Sequence, residues 1–122
     1  MPVRVLIVED EGIIAMDVAM MLEEAGHAVV GIARTGPEAL DLSQAHGPDI
    51  VLMDLNLGEG TRGDEAARAI FERQGIRSIF VSGSIDERTR ADLIALNPAG
   101  MITKPMHPRV LLAAIDAALV AA

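Results

Sequence analysis

The chain has 122 residues and no cysteine, with 18 acidic against 10 basic side chains and a formal charge of −8. That length suits one domain, residues 1–122, which buries about two-thirds of the surface its unfolded chain would expose, and the lack of thiols excludes a disulfide framework or a thiolate metal site. The charge opposes a nucleic-acid backbone, no apolar run reaches the roughly 20 residues of a membrane span, and Met1-Pro2-Val3-Arg4 enters a strand pattern without a leader signature, so we expect a cytoplasmic protein.

Val3 to Val8 is continuous, apolar and β-branched, and too short for a helix, so it reads as a strand buried on both faces. From Gly12 to Ala25 the apolar positions Ile13, Met16, Met20 and Met21 follow helical spacing, and Gly26 supplies the stop. His27 to Ala33 is the second strand. Thr35-Gly36-Pro37-Glu38 has the form of a capping box, which opens a helix running to about Gln44. Gly47-Pro48 breaks the chain before a third strand, Asp49 to Met53, and a helical pattern spans Asp64 to Gln74. Ser78 to Val81 is the fourth strand, Asp86 to Leu96 the fourth helix, Gly100 to Thr103 the fifth strand and Pro108 to Ala122 the last helix. Strictly alternating strands and helices imply an α/β fold, a parallel sheet covered on both faces.

Four of these strands end in polar groups: Glu9-Asp10-Glu11, Asp54, Ser82 and Lys104. In a parallel sheet such groups converge on one edge, the edge where open α/β sheets bind their ligands. Carboxylates, a hydroxyl and an ammonium together suit a cation and a phosphoryl group.

The run Leu6-Ile7-Val8-Glu9-Asp10-Glu11, the Asp54 after a buried strand, Ser82 and Lys104-Pro105 together resemble the receiver domain of bacterial two-component response regulators. The resemblance spans nearly the whole chain. It implies a flavodoxin-like sheet of order 2-1-3-4-5, with Asp54 as phosphoacceptor and Mg²⁺ held by Glu9, Asp10, Asp54 and the backbone carbonyl of Asn56. It also implies that Ser82 and Lys104 contact the phosphoryl oxygens and that the Lys104-Pro105 bond is cis. Hard carboxylate oxygens suit Mg²⁺, and catalysis would be positioning and electrostatics. A phosphatase that also forms an aspartyl phosphate would need an acid two positions after the nucleophile, where this chain has Asn56. We therefore expect a switch that catalyses only its own phosphorylation and dephosphorylation.

Some residues have plainer readings. Glu11 is expected to be a helix N-cap, and His27, His46 and His107 are scattered and assigned no role. Met101 stands where receivers usually carry Tyr or Phe, three residues before the lysine, and reads as core packing, which leaves the chain among stand-alone receivers without the aromatic switch. The loop Leu55 to Gly63 has Gly58 where proline is common and is one residue longer, so it is expected to be mobile.

The resemblance implies a histidine kinase or phosphotransfer protein upstream. No output domain follows the last helix, so the output is expected to be contact with a downstream protein. Val110 to Ala122 carries one charge in 13 residues, which suggests cover by a partner or by a homodimer formed through Asp86–Leu96 and Pro108–Ala122, or a chain cut from a longer protein. Two alternatives compete: a phosphorylation-independent interaction module of the same fold, and a flavin-binding protein, whose phosphate Glu9-Asp10-Glu11 would repel.

Overall fold

The computed structural model describes residues 2–57 and 63–120. Strands β1 (Arg4–Val8), β2 (Ala28–Ala33), β3 (Ile50–Asp54), β4 (Ser78–Ser82) and β5 (Gly100–Thr103) alternate with helices α1 (Gly12–Glu24), α2 (Gly36–His46), α3 (Gly63–Gln74), α4 (Glu87–Ile94) and α5 (Pro108–Val120). The strands form one sheet in the order β2-β1-β3-β4-β5, and every pairing is parallel. This is the flavodoxin-like arrangement expected.

Alternate residues of each strand feed two cores, because successive side chains of a strand point to opposite faces. Val5, Ile7, Leu52, Ile79, Val81 and Ile102 pack with Val18 and Leu22 of α1 and with Leu111 and Ile115 of α5. Leu6, Val8, Val51, Met53 and Phe80 pack on the other face with Ala39 of α2, Ile70 of α3 and Leu93 of α4. Strands buried on both faces cannot alternate polar and apolar residues, which is why they read as continuous apolar runs.

The helix ends follow their local chemistry. Thr35 Oγ1 accepts from the Glu38 backbone N–H at 3.2 Å, while Glu38 Oε1 reaches back to the N–H of Arg34 at 2.9 Å, one residue beyond the usual capping-box partner. Asp86 lies outside α4 as its N-cap and accepts from the Thr89 N–H at 2.7 Å. Glu11 holds the N-cap position of α1, but its side chain makes no cap bond. The expectation for Glu11 is therefore right in place and wrong in mechanism: the reach of a glutamate exceeds the short arm that a cap needs.

α1 differs from its sequence pattern in a second way. Ile13, Met16 and Met20, whose spacing signals the helix, are 80, 64 and 56% exposed, and the buried residues are Ala15, Val18, Ala19 and Leu22. Both stripes are apolar, and the smaller residues face the sheet because they let the helix lie close to it.

Candidate functional site

The carboxyl ends of the strands are fixed by backbone bonds between neighbours. Glu9 N donates to Ala33 O at 2.9 Å, Leu55 N to Val81 O at 3.0 Å, and Lys104 N to Ser82 O at 2.7 Å. The residues that leave β1, β3, β4 and β5 are thereby held side by side, and the expected site residues come together. Asp54 and Ser82 are the last residues of their strands rather than the first beyond them.

Asp54 and Glu9 are buried, 3 and 5% exposed, and Asp10 is half-buried. One carboxylate oxygen from each lies within 4.8 Å of the others. Lys104 Nζ stands 3.1 Å from Asp54 Oδ2 and 3.5 Å from Glu9 Oε1. The second Asp54 oxygen, Oδ1, accepts from the backbone N–H of Asn56 at 2.9 Å, and Glu9 Oε2 accepts from the N–H of Glu11 at 3.2 Å. Arg34 donates Nη2 to the Asp10 carbonyl oxygen at 3.2 Å, which steadies the chain as it leaves β1. The Lys104-Pro105 peptide is cis, as the resemblance implies.

Burial and the crowding of acids shift two groups of the cluster. Burial pushes the Glu9 carboxyl up to about 7; the N–H of Glu11 and the Lys104 ammonium oppose the rise, while a proton shared with Asp54 and the Asp54 charge reinforce it. Burial pulls the Lys104 ammonium down, but hydrogen bonds and charge from Asp54 and Glu9 outweigh it, so its pKa lies above the ordinary lysine value. One ammonium thus serves two buried carboxylates, with a third at their side. The donor set is all oxygen, and the half-exposed Asp10 leaves water access, which suits a hard cation that keeps part of its hydration.

Two features of the site were not legible in the sequence. The first is Gly63, buried at the start of α3, where a Cβ would overlap the Asp54 carbonyl oxygen. Its only signal is membership of a glycine-rich stretch, which does not say which glycine meets a backbone. The second is the side chain of Asn56, whose Nδ2 donates to Ser82 Oγ at 3.2 Å. Residues 58–62 of the loop expected to be mobile lie outside the described residues. Met101 is half-buried and packs against the cluster that holds Phe80, Leu93 and Leu96, in keeping with core packing.

The family model for the response regulator receiver domain matches residues 5–116. The chain belongs to the response regulator receiver domain family. It is a signalling module of two-component systems, and the acidic cluster Glu9, Asp10 and Asp54 fits the phosphoacceptor site of such a domain. It is similar to the phyllosphere-induced regulator PhyR of Methylorubrum extorquens, 33% identical over 120 residues that cover 98% of this chain and 44% of that protein. It also resembles the transcriptional regulatory protein PdtaR of Mycobacterium tuberculosis, 38% identical over 122 residues that cover 97% of this chain and 57% of that protein. The chain thus spans about half the length of these two relatives. Among solved structures, a LuxR-family two-component response regulator from Aurantimonas superposes with a TM-score of 0.91 at 31% identity, over 99% of this chain and 87% of that one. No described helix of this receiver is long and apolar enough to cross a membrane.

Proposed function

We propose that this receiver takes a phosphoryl group from a histidine kinase or phosphotransfer protein onto Asp54, and that the aspartyl phosphate changes its contacts with a downstream protein. The observation that carries this reading is the setting of the Asp54 carboxylate, with Oδ2 on the Lys104 ammonium at 3.1 Å and Oδ1 on the Asn56 N–H at 2.9 Å, beside Glu9 and Asp10. A carboxylate attacks phosphorus poorly in water, and becomes competent when the incoming charge is neutralised and the atoms are aligned. An Asp54 oxygen forms the new O–P bond as the P–N bond to the donor imidazole breaks, and that imidazole leaves with its electron pair and takes up a proton. Lys104 meets the negative charge of the incoming oxygens, and Ser82 would donate its hydroxyl once it leaves the Ser84 carbonyl oxygen. Mg²⁺, held by Glu9, Asp10, Asp54 and the Asn56 carbonyl, supplies further positive charge when bound.

The outer surface supports a protein donor and a protein target, and we assign both to the cytoplasm. Ile13, Met16 and Met20 form an exposed stripe on α1. A groove of about 520 Å³ is lined by Ile14, Asp17, Val18 and Met21 of α1 and by Lys104, Pro105 and Met106, and Lys104 also meets Asp54. Ile94 on α4 and Val110 on α5, 61 and 48% exposed, lie on the elements we assign to the target or to a second copy of this chain.

The test is phosphotransfer from a radiolabelled donor to the wild type and Asp54→Asn in parallel, with intact mass measured after acetyl phosphate. The expected result is one phosphoryl group on the wild type and none on the variant. Equal labelling of both proteins, or of neither, would sink the reading; the second outcome favours a phosphorylation-independent interaction module.

A further inference from the structure

Ser82 is buried, with 3% of its surface exposed, and its hydroxyl has one proton and two lone pairs to place. The proton goes to the Ser84 carbonyl oxygen, 3.0 Å away. The lone pairs receive Asn56 Nδ2 at 3.2 Å and the backbone N–H of Ser84 at 3.4 Å. Every position on the hydroxyl is therefore taken, and a phosphoryl oxygen on Asp54 could gain its proton only if Ser84 gave it up.

Asn56 is also the residue whose backbone N–H holds Asp54 Oδ1 at 2.9 Å. One residue thus grips the carboxylate with its main chain and the hydroxyl with its side chain, joining the segment after β3 to the end of β4. Asn56 is itself exposed and packs in no core, so its amide is free to keep or leave this bond without disturbing the fold.

Resting on the reading of Asp54 as phosphoacceptor, we propose that the Asn56 side chain is a positioning residue that holds Ser82 in its resting arrangement and opposes its engagement with a phosphoryl group. Turning the hydroxyl toward a phosphoryl oxygen breaks its bond to the Ser84 carbonyl oxygen and disturbs the two bonds that its lone pairs accept, from Asn56 and from the Ser84 N–H. Removing the amide leaves two bonds instead of three, both to Ser84, so the receiver should take a phosphoryl group, or a mimic of one, more tightly. A net hydrogen bond of ordinary strength corresponds to a gain of about threefold to tenfold.

The experiment is a calorimetric titration of beryllofluoride, a tetrahedral phosphoryl mimic, in saturating Mg²⁺. It uses the wild type, Asn56→Ala, Ser82→Ala, the double variant and Asp54→Asn, each first shown to melt cooperatively without ligand. We expect Asn56→Ala to bind about threefold to tenfold more tightly than the wild type, and the same substitution to change affinity by less than about twofold on the Ser82→Ala background. A purely structural role for Asn56 would alter both backgrounds alike. Unchanged or weaker binding by Asn56→Ala, or an equal gain on both backgrounds, would overturn the proposal while leaving the phosphoacceptor reading intact. Failure of the wild type to bind, or equal binding by Asp54→Asn, would overturn the phosphoacceptor reading and this proposal with it.

Discussion

At the amino ends of the strands, Arg4 donates to the carbonyl oxygens of Gly47 and His46, both at 2.7 Å, and Arg77 donates to those of Asn97 and Pro98, both at 2.9 Å. At the carboxyl ends, Lys104 reaches only carboxylates, and those carboxylates crowd one another. Arg34 aside, which donates to the Asp10 carbonyl oxygen, the cations therefore do different work at the two ends. Cations at the amino end satisfy the last carbonyls of α2 and of the turn before β5, where a helix or turn leaves acceptors unpaired. At the other end the charges are left to interact with each other, an arrangement that stability alone does not favour and that an added cation and phosphoryl group would complete.

Glycines draw the sharpest contrast between the two ends, and give the largest expected effect. Gly63 is needed for space, because a Cβ there would overlap the Asp54 carbonyl oxygen. Gly47, at the amino end, has a φ of 51° and nothing within 4 Å of an added Cβ, so its role is conformational. Gly63→Ala should cost about 3 kcal/mol, since a backbone oxygen held in a sheet cannot give way as a side chain would. Gly47→Ala should cost about 1 kcal/mol, the usual penalty of a left-handed residue with a Cβ. Urea denaturation of the two variants measures both, and equal losses would erase the distinction.

A smaller effect separates the cations. Lys104→Met should cost about 2 kcal/mol in metal-free buffer, less than a fully buried pair because the ammonium is partly solvated, and millimolar Mg²⁺ should recover most of the loss. Arg77→Met removes two bonds to carbonyl oxygens and should also cost about 2 kcal/mol, with no recovery in Mg²⁺. The measurement is the melting temperature of each variant in Mg²⁺ and in EDTA. Recovery of both, or of neither, would mean that the two ends do not differ in their need for a cation.

How far this division is visible before folding depends on the kind of signal. The β3 run Ile50 to Met53 and the Asp54 that ends it are readable because a strand buried on both faces must be apolar throughout, so its first polar residue marks the edge. The same logic locates Ser82, whereas β5 is only partly buried and ends in the exposed Thr103, so Lys104 is marked by the resemblance and not by burial. Arg34 on the Asp10 carbonyl and Asn56 on Ser82 are contacts between segments far apart in the chain, Gly63 against the Asp54 carbonyl closes one loop, and no local period encodes any of the three. The orientation of α1 was hidden for another reason. Both of its stripes are apolar, so spacing identifies the helix without saying which side faces the sheet.

The pH dependence is the subtlest way to tell the ends apart. Glu9 has its carboxyl raised from 4.5 to about 7 in the folded protein. The folded state therefore holds a proton that the unfolded chain releases, and the associated stability is fully present below pH 4.5 and is lost as the pH rises through about 7. Asp86, at the start of α4, is shifted the opposite way by the Thr89 N–H, and its contribution is lost only as the pH falls below 3.8, outside the Glu9 window. In metal-free buffer the wild type should therefore lose stability between pH 4.5 and about 7, and Glu9→Gln should flatten that slope by removing the titrating group. Mg²⁺ should flatten it as well in the wild type, since a cation at the cluster favours the same ionised carboxylates that a proton would otherwise neutralise. Denaturation midpoints measured across this window, with and without Mg²⁺, decide the matter: a slope that survives Glu9→Gln belongs to a different group, and the carboxyl end of the sheet would not be the seat of the electrostatic strain.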